Sequence, residues 1–133
     1  MVVFFVIVDI ILPCVMIAFG HRFLTNPPKK INRVYGYRTK MSMLNQDTWN
    51  FAHGYLGKLW KQCGMLMIIP SAFIVLLASN DTNRPAEIVG LVVLFVQVVI
   101  LLITVGISEN ALKNTFRKDG SRCRKSLDDF PMK

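Results

Sequence analysis

Acidic residues are scarce in this sequence, eight Asp and Glu against 16 Lys and Arg in 133 residues, and several other shortages narrow what the chain can do. Its three cysteines, Cys14, Cys63 and Cys123, form no C-x-x-C pair and have no histidine at ligand spacing. Neither a disulfide framework nor a zinc site follows from them. There is no glycine-rich phosphate loop, no G-x-S-x-G elbow, and no set of acid, base and nucleophile at a spacing that would make a catalytic pair. The sequence therefore reads as a non-enzyme with no metal or other cofactor. The net charge of +8 would suggest nucleic acid in a soluble protein, but no reading motif accompanies it. Beside long apolar blocks, such charge reflects loops that face anionic lipid, and direct nucleic-acid binding is not expected.

The chain also lacks the mixing of charged and apolar residues that a water-soluble domain shows. Its 53% hydrophobic content is concentrated in three blocks. A helix needs about 20 mostly apolar residues to cross about 30 Å of hydrocarbon, and three segments qualify, at about 2–19, 62–78 and 88–107. The first has no basic leader and no Ala-x-Ala-like exit, so it is read as a retained span rather than a cleaved signal. Backbone polar groups must be paired in lipid, so all three are expected to be helical despite their Val, Ile and Phe content. Pro13 and Pro70 fall inside spans and are read as tolerated kinks. The predicted class is all-α integral membrane, a bundle of three transmembrane helices.

Orientation follows from the basic residues. Arg22, Lys29, Lys30, Arg33, Arg38, Lys40, Lys58 and Lys61 lie between the first two spans, and only Arg84 lies between the second and third. Lys113, Arg117, Lys118, Arg122, Arg124, Lys125 and Lys133 follow the third. The positive-inside rule then places the first loop and the tail in the cytoplasm and the N-terminus outside, with Ser79 to Glu87 as an outside turn.

The segment from His21 to Lys61 is the part rich in chemistry. Asn26-Pro27-Pro28 should end the first helix, and Tyr35-Gly36-Tyr37-Arg38-Thr39 reads as a tight turn with Gly36 at positive φ. Asn45 is a helix N-cap with Asp47 in the first turn, and Trp49, Ala52, Leu56 and Trp60 recur at helical spacing. These features predict a cytoplasmic amphipathic helix lying along the interface between spans one and two, with Trp49, Tyr55 and Trp60 at headgroup level, turning into the membrane at Gly57 or Gly64. Arg38 has the planar fork suited to a lipid phosphate or a helix C-terminus, and His53 reads as a structural hydrogen-bonding group.

Two polar residues lie inside spans. Asp9 sits near the middle of the first, where a carboxylate costs on the order of 3 kcal/mol to insert. Gln97 sits mid-way along the third and can donate to Asp9 across the bundle. Three spans alone should bury little of Asp9, which favours a homodimer. The tail is expected to extend the third helix by a turn or two before Gly120, and the rest to be disordered, with Arg122, Arg124 and Lys125 held near anionic lipid.

The wording of the central segment is more specific than its periodicity. INRVYGYRTKMSMLNQDTWNFAHGYLGK closely resembles the signature of the SdpI family of small bacterial membrane proteins, N-x-x-x-G-Y-R-T-x-x-S-x-x-N-x-x-x-W-x-x-A-H-x-x-x-G. Asn32, Gly36, Tyr37, Arg38, Thr39, Ser42, Asn45, Trp49, Ala52, His53 and Gly57 occupy those positions. The resemblance implies an SdpI-like membrane domain over 1–110 with a basic cytoplasmic tail at 111–133, placed in a bacterial cell membrane. It also implies immunity to a secreted membrane-active peptide toxin, with signalling to a cytosolic repressor. The family's namesake carries extra spans ahead of the shared domain. The alternative reading, from Asp9 and Gln97, is a small membrane transporter or transporter subunit. Lipid bilayer, peptide toxin, repressor and a second copy of the chain are thus the expected partners.

Overall fold

A computed structural model of the protein describes residues 2–78 and 83–123. Three helices account for most of them: α1 (Val2–Thr25), α2 (Gln46–Ala78) and α3 (Asn83–Thr115). All three are long and apolar enough to cross a membrane. Large apolar side chains such as Phe4, Leu66 and Phe95 point outward, while Asp9, Ser71, Gln97, Thr104 and Ser108 are buried between the helices. A polar interior with an apolar exterior is the arrangement expected where lipid, not water, is the solvent.

The first helix runs past the apolar block to Thr25, whose hydroxyl donates to the His21 carbonyl at 2.9 Å. It ends where Pro27 and Pro28 remove the donors needed to continue. The expected outside turn lies partly beyond the described residues, and α3 already begins at Asn83, so Asn83 to Glu87 are helical rather than turn.

Among the described residues no separate interfacial helix precedes the second span. The segment predicted to lie along the interface is the start of α2, which runs unbroken through Gly57, Gly64 and Pro70. At about 1.5 Å per residue, 33 residues extend about 50 Å against about 30 Å of hydrocarbon, so α2 is long enough to cross and project beyond it. The two glycines do not bend the helix but lie at its close contacts with α1. A Cβ at Gly57 would sit 2.9 Å from the Phe23 Cβ and 3.0 Å from the Gly20 carbonyl, and one at Gly64 would sit 2.9 Å from the Pro13 carbonyl. Small residues here let the α1 and α2 backbones approach closely, the usual basis of helix packing in lipid.

Pro13 has a consequence deeper in the bundle. Lacking an N–H, it leaves the carbonyl of Asp9, four residues earlier, without its helical donor. Two side chains from the other helices fill the vacancy: Ser71 Oγ on α2 donates at 2.7 Å and Gln97 Nε2 on α3 at 3.2 Å. Gln97 Nε2 also donates to Ser71 Oγ at 2.9 Å. Gln97 therefore does reach Asp9, but at its backbone carbonyl rather than its carboxyl group. Asp9 itself is 0% exposed in a single copy of the chain, so no dimer is needed to shield it. Gly90 on α3 lets α1 come close beside it, since a Cβ there would lie 3.0 Å from the Phe5 Cβ, while Asp9 Oδ2 would be in ordinary contact at 3.5 Å.

Candidate functional site

At the end of the bundle where α1 finishes and α2 starts, residues 26–45 fold into a hydrogen-bonded knot against α2 and α3. Asn32 begins it. Its Oδ1 accepts from the backbone N–H groups of Val34 at 3.0 Å and Tyr35 at 2.7 Å, an Asx-type turn that delivers the chain to Gly36. Gly36 has φ of 114°, and a Cβ there would fall 2.5 Å from His53 Nε2. Only glycine suits that position, both for its backbone and for its closeness to the imidazole.

His53 joins the knot to the helix. The Tyr37 N–H donates to His53 Nε2 at 2.9 Å, and His53 Nδ1 lies 2.8 Å from the Trp49 carbonyl. Because Nε2 must accept, the proton resides on Nδ1, which donates to Trp49. The ring is fully buried, edge-on to Phe23 and 4.3 Å from Trp49 between centroids. Ser42 and Thr39 close the next turn reciprocally: the Thr39 N–H donates to Ser42 Oγ at 2.8 Å and the Ser42 N–H to Thr39 Oγ1 at 3.1 Å. Ser42 Oγ in turn donates to the Tyr37 carbonyl at 2.9 Å.

Asn45 caps α2 as expected, with its Oδ1 accepting from the Thr48 N–H at 2.9 Å, while Thr48 Oγ1 accepts from the Asn45 N–H at 3.1 Å. Asn45 Nδ2 reaches further, to the Gly120 carbonyl at 2.7 Å. That contact ties the loop to a turn after α3, in which Gly120 has φ of 86° and Phe116 pairs with Arg122. Arg122, expected near lipid, instead forms a two-pronged ion pair with Asp47, both N–O distances being 2.7 Å. Arg124 and Lys125 lie outside the described residues.

Trp49, read from sequence as a headgroup anchor, is 0% exposed. Its Nε1 donates to the Pro28 carbonyl at 2.6 Å, pinning the Pro-Pro segment to α2. Ala52 is buried in the core formed with Phe23, Tyr37, Leu56, Leu112 and Phe116. Trp60 is only half-buried and donates to Thr104 Oγ1 at 3.0 Å. The Tyr37 hydroxyl donates to Glu109 Oε2 on α3 at 3.1 Å. Burial first, and then the Glu109 carboxylate beside it, push that phenol above its ordinary range.

The structure thus gathers the signature residues into one place and gives most of them an internal task. Arg38 differs: its side chain is exposed, and Nη1 donates to the Arg33 carbonyl, which sets the direction of the guanidinium. Beside it is a cavity of about 340 Å³ walled by Phe19, Phe23, Tyr35, Leu56 and Trp60. Sequence reasoning missed Glu109, Thr104 and Ser71, polar residues on helices whose partners lie 72, 44 and 62 positions away. No local pattern marks such pairs.

The signature of the SdpI/YfhL protein family matches residues 29–108, the loop together with α2 and most of α3. The chain belongs to the SdpI/YfhL protein family. Within the family it is similar to the uncharacterized protein YfhL of Bacillus subtilis (strain 168), with 49% identity over 41 residues, 31% of this chain and 37% of that protein. The chain thus aligns with little more than a third of that relative. No solved structure matches it. As an SdpI/YfhL protein with three candidate spans, it is a multi-pass membrane protein.

Proposed function

We propose that this SdpI/YfhL protein gives a bacterium immunity to a secreted membrane-active peptide toxin and passes a signal to a cytosolic repressor, with the loop and tail in the cytoplasm and the N-terminus outside. The observation that carries the reading is the division of labour within the signature. Asn32, Gly36, Thr39, Ser42, Asn45, Trp49 and His53 build a rigid platform, and Arg38 is the member that this platform presents outward beside an aromatic cavity. Preorganising one exposed charge on a locked turn is how a recognition surface lowers the ordering cost of binding.

Arg38→Ala is expected to abolish toxin resistance while the protein still reaches the membrane at its normal level. Arg38→Lys should restore little, because an ammonium lacks the planar fork. Resistance unchanged in Arg38→Ala, beside an empty-vector control that dies, refutes this placement of the working surface. Trp49→Ala is not an equivalent probe, since a fully buried side chain offers no surface to a toxin and its loss would act through the fold.

One observation favours the transporter reading. Both carboxyl oxygens of Asp9 and the Oε1 of Gln97 are buried with no hydrogen-bond partner among the described residues. Unpartnered acceptors of this kind in mid-bundle are where a coupled ion would act. Lost resistance in Asp9→Asn with retained resistance in Arg38→Ala would transfer the function to the bundle interior.

A further inference from the structure

We propose that the cavity beside Arg38 binds an anionic phospholipid from the surrounding leaflet, its phosphate on the Arg38 guanidinium and the start of one acyl chain against Phe19 and Val15.

The cavity joins two environments. Val15 and Phe19 lie on the outward face of α1, about 40% exposed, so the cavity opens sideways to where lipid tails lie. Its inner wall is the edge of the aromatic core, Phe23, Tyr35 and Trp60, with the Phe19 and Trp60 rings 6.5 Å apart at right angles. At about 340 Å³ it is at the small end of ligand sites, suited to the upper part of one chain rather than a whole lipid.

Arg38 is the only charged residue in the lining. One of its N–H groups is spent on the Arg33 carbonyl, and among the described residues the one ion pair is Arg122 with Asp47. The fork is therefore aimed but electrically unanswered. Lys29, Lys30 and Arg33 are exposed on the same segment, and no acidic residue occurs between His21 and Gln46. Glu109 is held behind Tyr37 by the phenol hydroxyl.

This charge balance favours a net anionic headgroup over a zwitterionic one, whose own cation would meet like charge. The apolar wall distinguishes a lipid from a free phosphate ion, which would gain nothing from Phe19 and Val15. The proposal stands apart from the immunity reading and needs no toxin.

Trp60 in the cavity wall supplies the reporter. The full chain is reconstituted in vesicles in which phosphatidylglycerol or phosphatidylcholine, brominated near the glycerol end of the acyl chain, is titrated against unlabelled phosphatidylcholine. Tryptophan emission is then followed. Brominated phosphatidylglycerol should quench with an apparent affinity about fivefold higher than brominated phosphatidylcholine, the equivalent of about 1 kcal/mol for one basic side chain against an anionic surface. Arg38→Gln should bring the two to parity, Lys29→Gln outside the cavity should leave the preference in place, and Trp60→Phe should remove the selective part of the signal. Equal quenching by the two lipids in the unaltered protein overturns the proposal, and that comparison needs no variant to fold. A preference that survives Arg38→Gln but falls in Lys29→Gln overturns it in favour of diffuse attraction to the basic loop. Selective quenching that persists in Trp60→Phe overturns it too, since the lipid would then lie near Trp49.

Discussion

Gly36→Ala separates two costs that the structure places on one atom. The new Cβ would require an L-residue at φ of 114°, and it would lie 2.5 Å from His53 Nε2, an approach that real Cβ atoms do not make. The backbone cost is about 1–3 kcal/mol for a non-glycine residue in such a sparsely populated region. Moving the imidazole away breaks the 2.9 Å bond from the Tyr37 N–H, and a buried donor left unpaired costs about 1–3 kcal/mol more. The combined loss is about 2–6 kcal/mol, a large share of a small domain's stability.

The control is the same substitution at the residue after His53, on the open face of the helix. Gly54 lies on α2 with nothing within 4 Å of its would-be Cβ, so Gly54→Ala should stabilise by about 0.5–1 kcal/mol through helix propensity. Both variants can be followed by SDS titration of the detergent-solubilised protein, with loss of helical circular dichroism and tryptophan emission as readouts. Gly36→Ala combined with His53→Ala divides the terms. If the clash dominates, removing the ring lets the Cβ fit, and the double variant loses less than the two single losses added together. Should Gly36→Ala prove as stable as Gly54→Ala, the account of Gly36 and His53 as one interlocked unit is wrong.

A second cycle probes the Asp9 carbonyl. Ser71→Ala should cost about 0.6–1.7 kcal/mol, the measured scale for hydrogen bonds between membrane helices, and measurably less in a Pro13→Ala background, where residue 13 again donates to Asp9. Equal costs in the two backgrounds in the same SDS titration would mean that the carbonyl was not the reason Ser71 is needed. For orientation, a cysteine placed at Thr82 in a cysteine-free background should react with an impermeant thiol reagent in intact cells, and one at Thr115 should not. The reverse pattern overturns the topology drawn from the basic residues.

Much of the site was legible locally. Asn45 as a cap, Gly36 at positive φ and the helix stop at Asn26-Pro27-Pro28 each depend on chemistry within a few residues, and each is where sequence reasoning placed it. The dense signature also picked out residues that the structure folds together into one hydrogen-bonded knot. It did not reveal that most of them face inward, because a tryptophan at helical spacing fits a headgroup belt and a protein core equally well. Trp49 is buried because Pro28 folds back over it, a contact across 21 residues that periodicity cannot express.

What the sequence determined by itself is the set of spans, since three apolar blocks in lipid have no alternative to helix, and the break points between them, since proline and glycine act on their own neighbours. Tertiary structure alone decided which polar groups meet. The carbonyl freed by Pro13 could have been met by water, lipid or another helix, and it is met by Ser71 and Gln97 because Gly57, Gly64 and Gly90 let three backbones close to contact distance. The same closure buries Asp9 in one copy of the chain, gives Tyr37 to Glu109 and Asp47 to Arg122, and leaves Arg38 exposed. Such pairings depend on the distance between helices rather than on distance along the chain, and that quantity exists only once the bundle has packed.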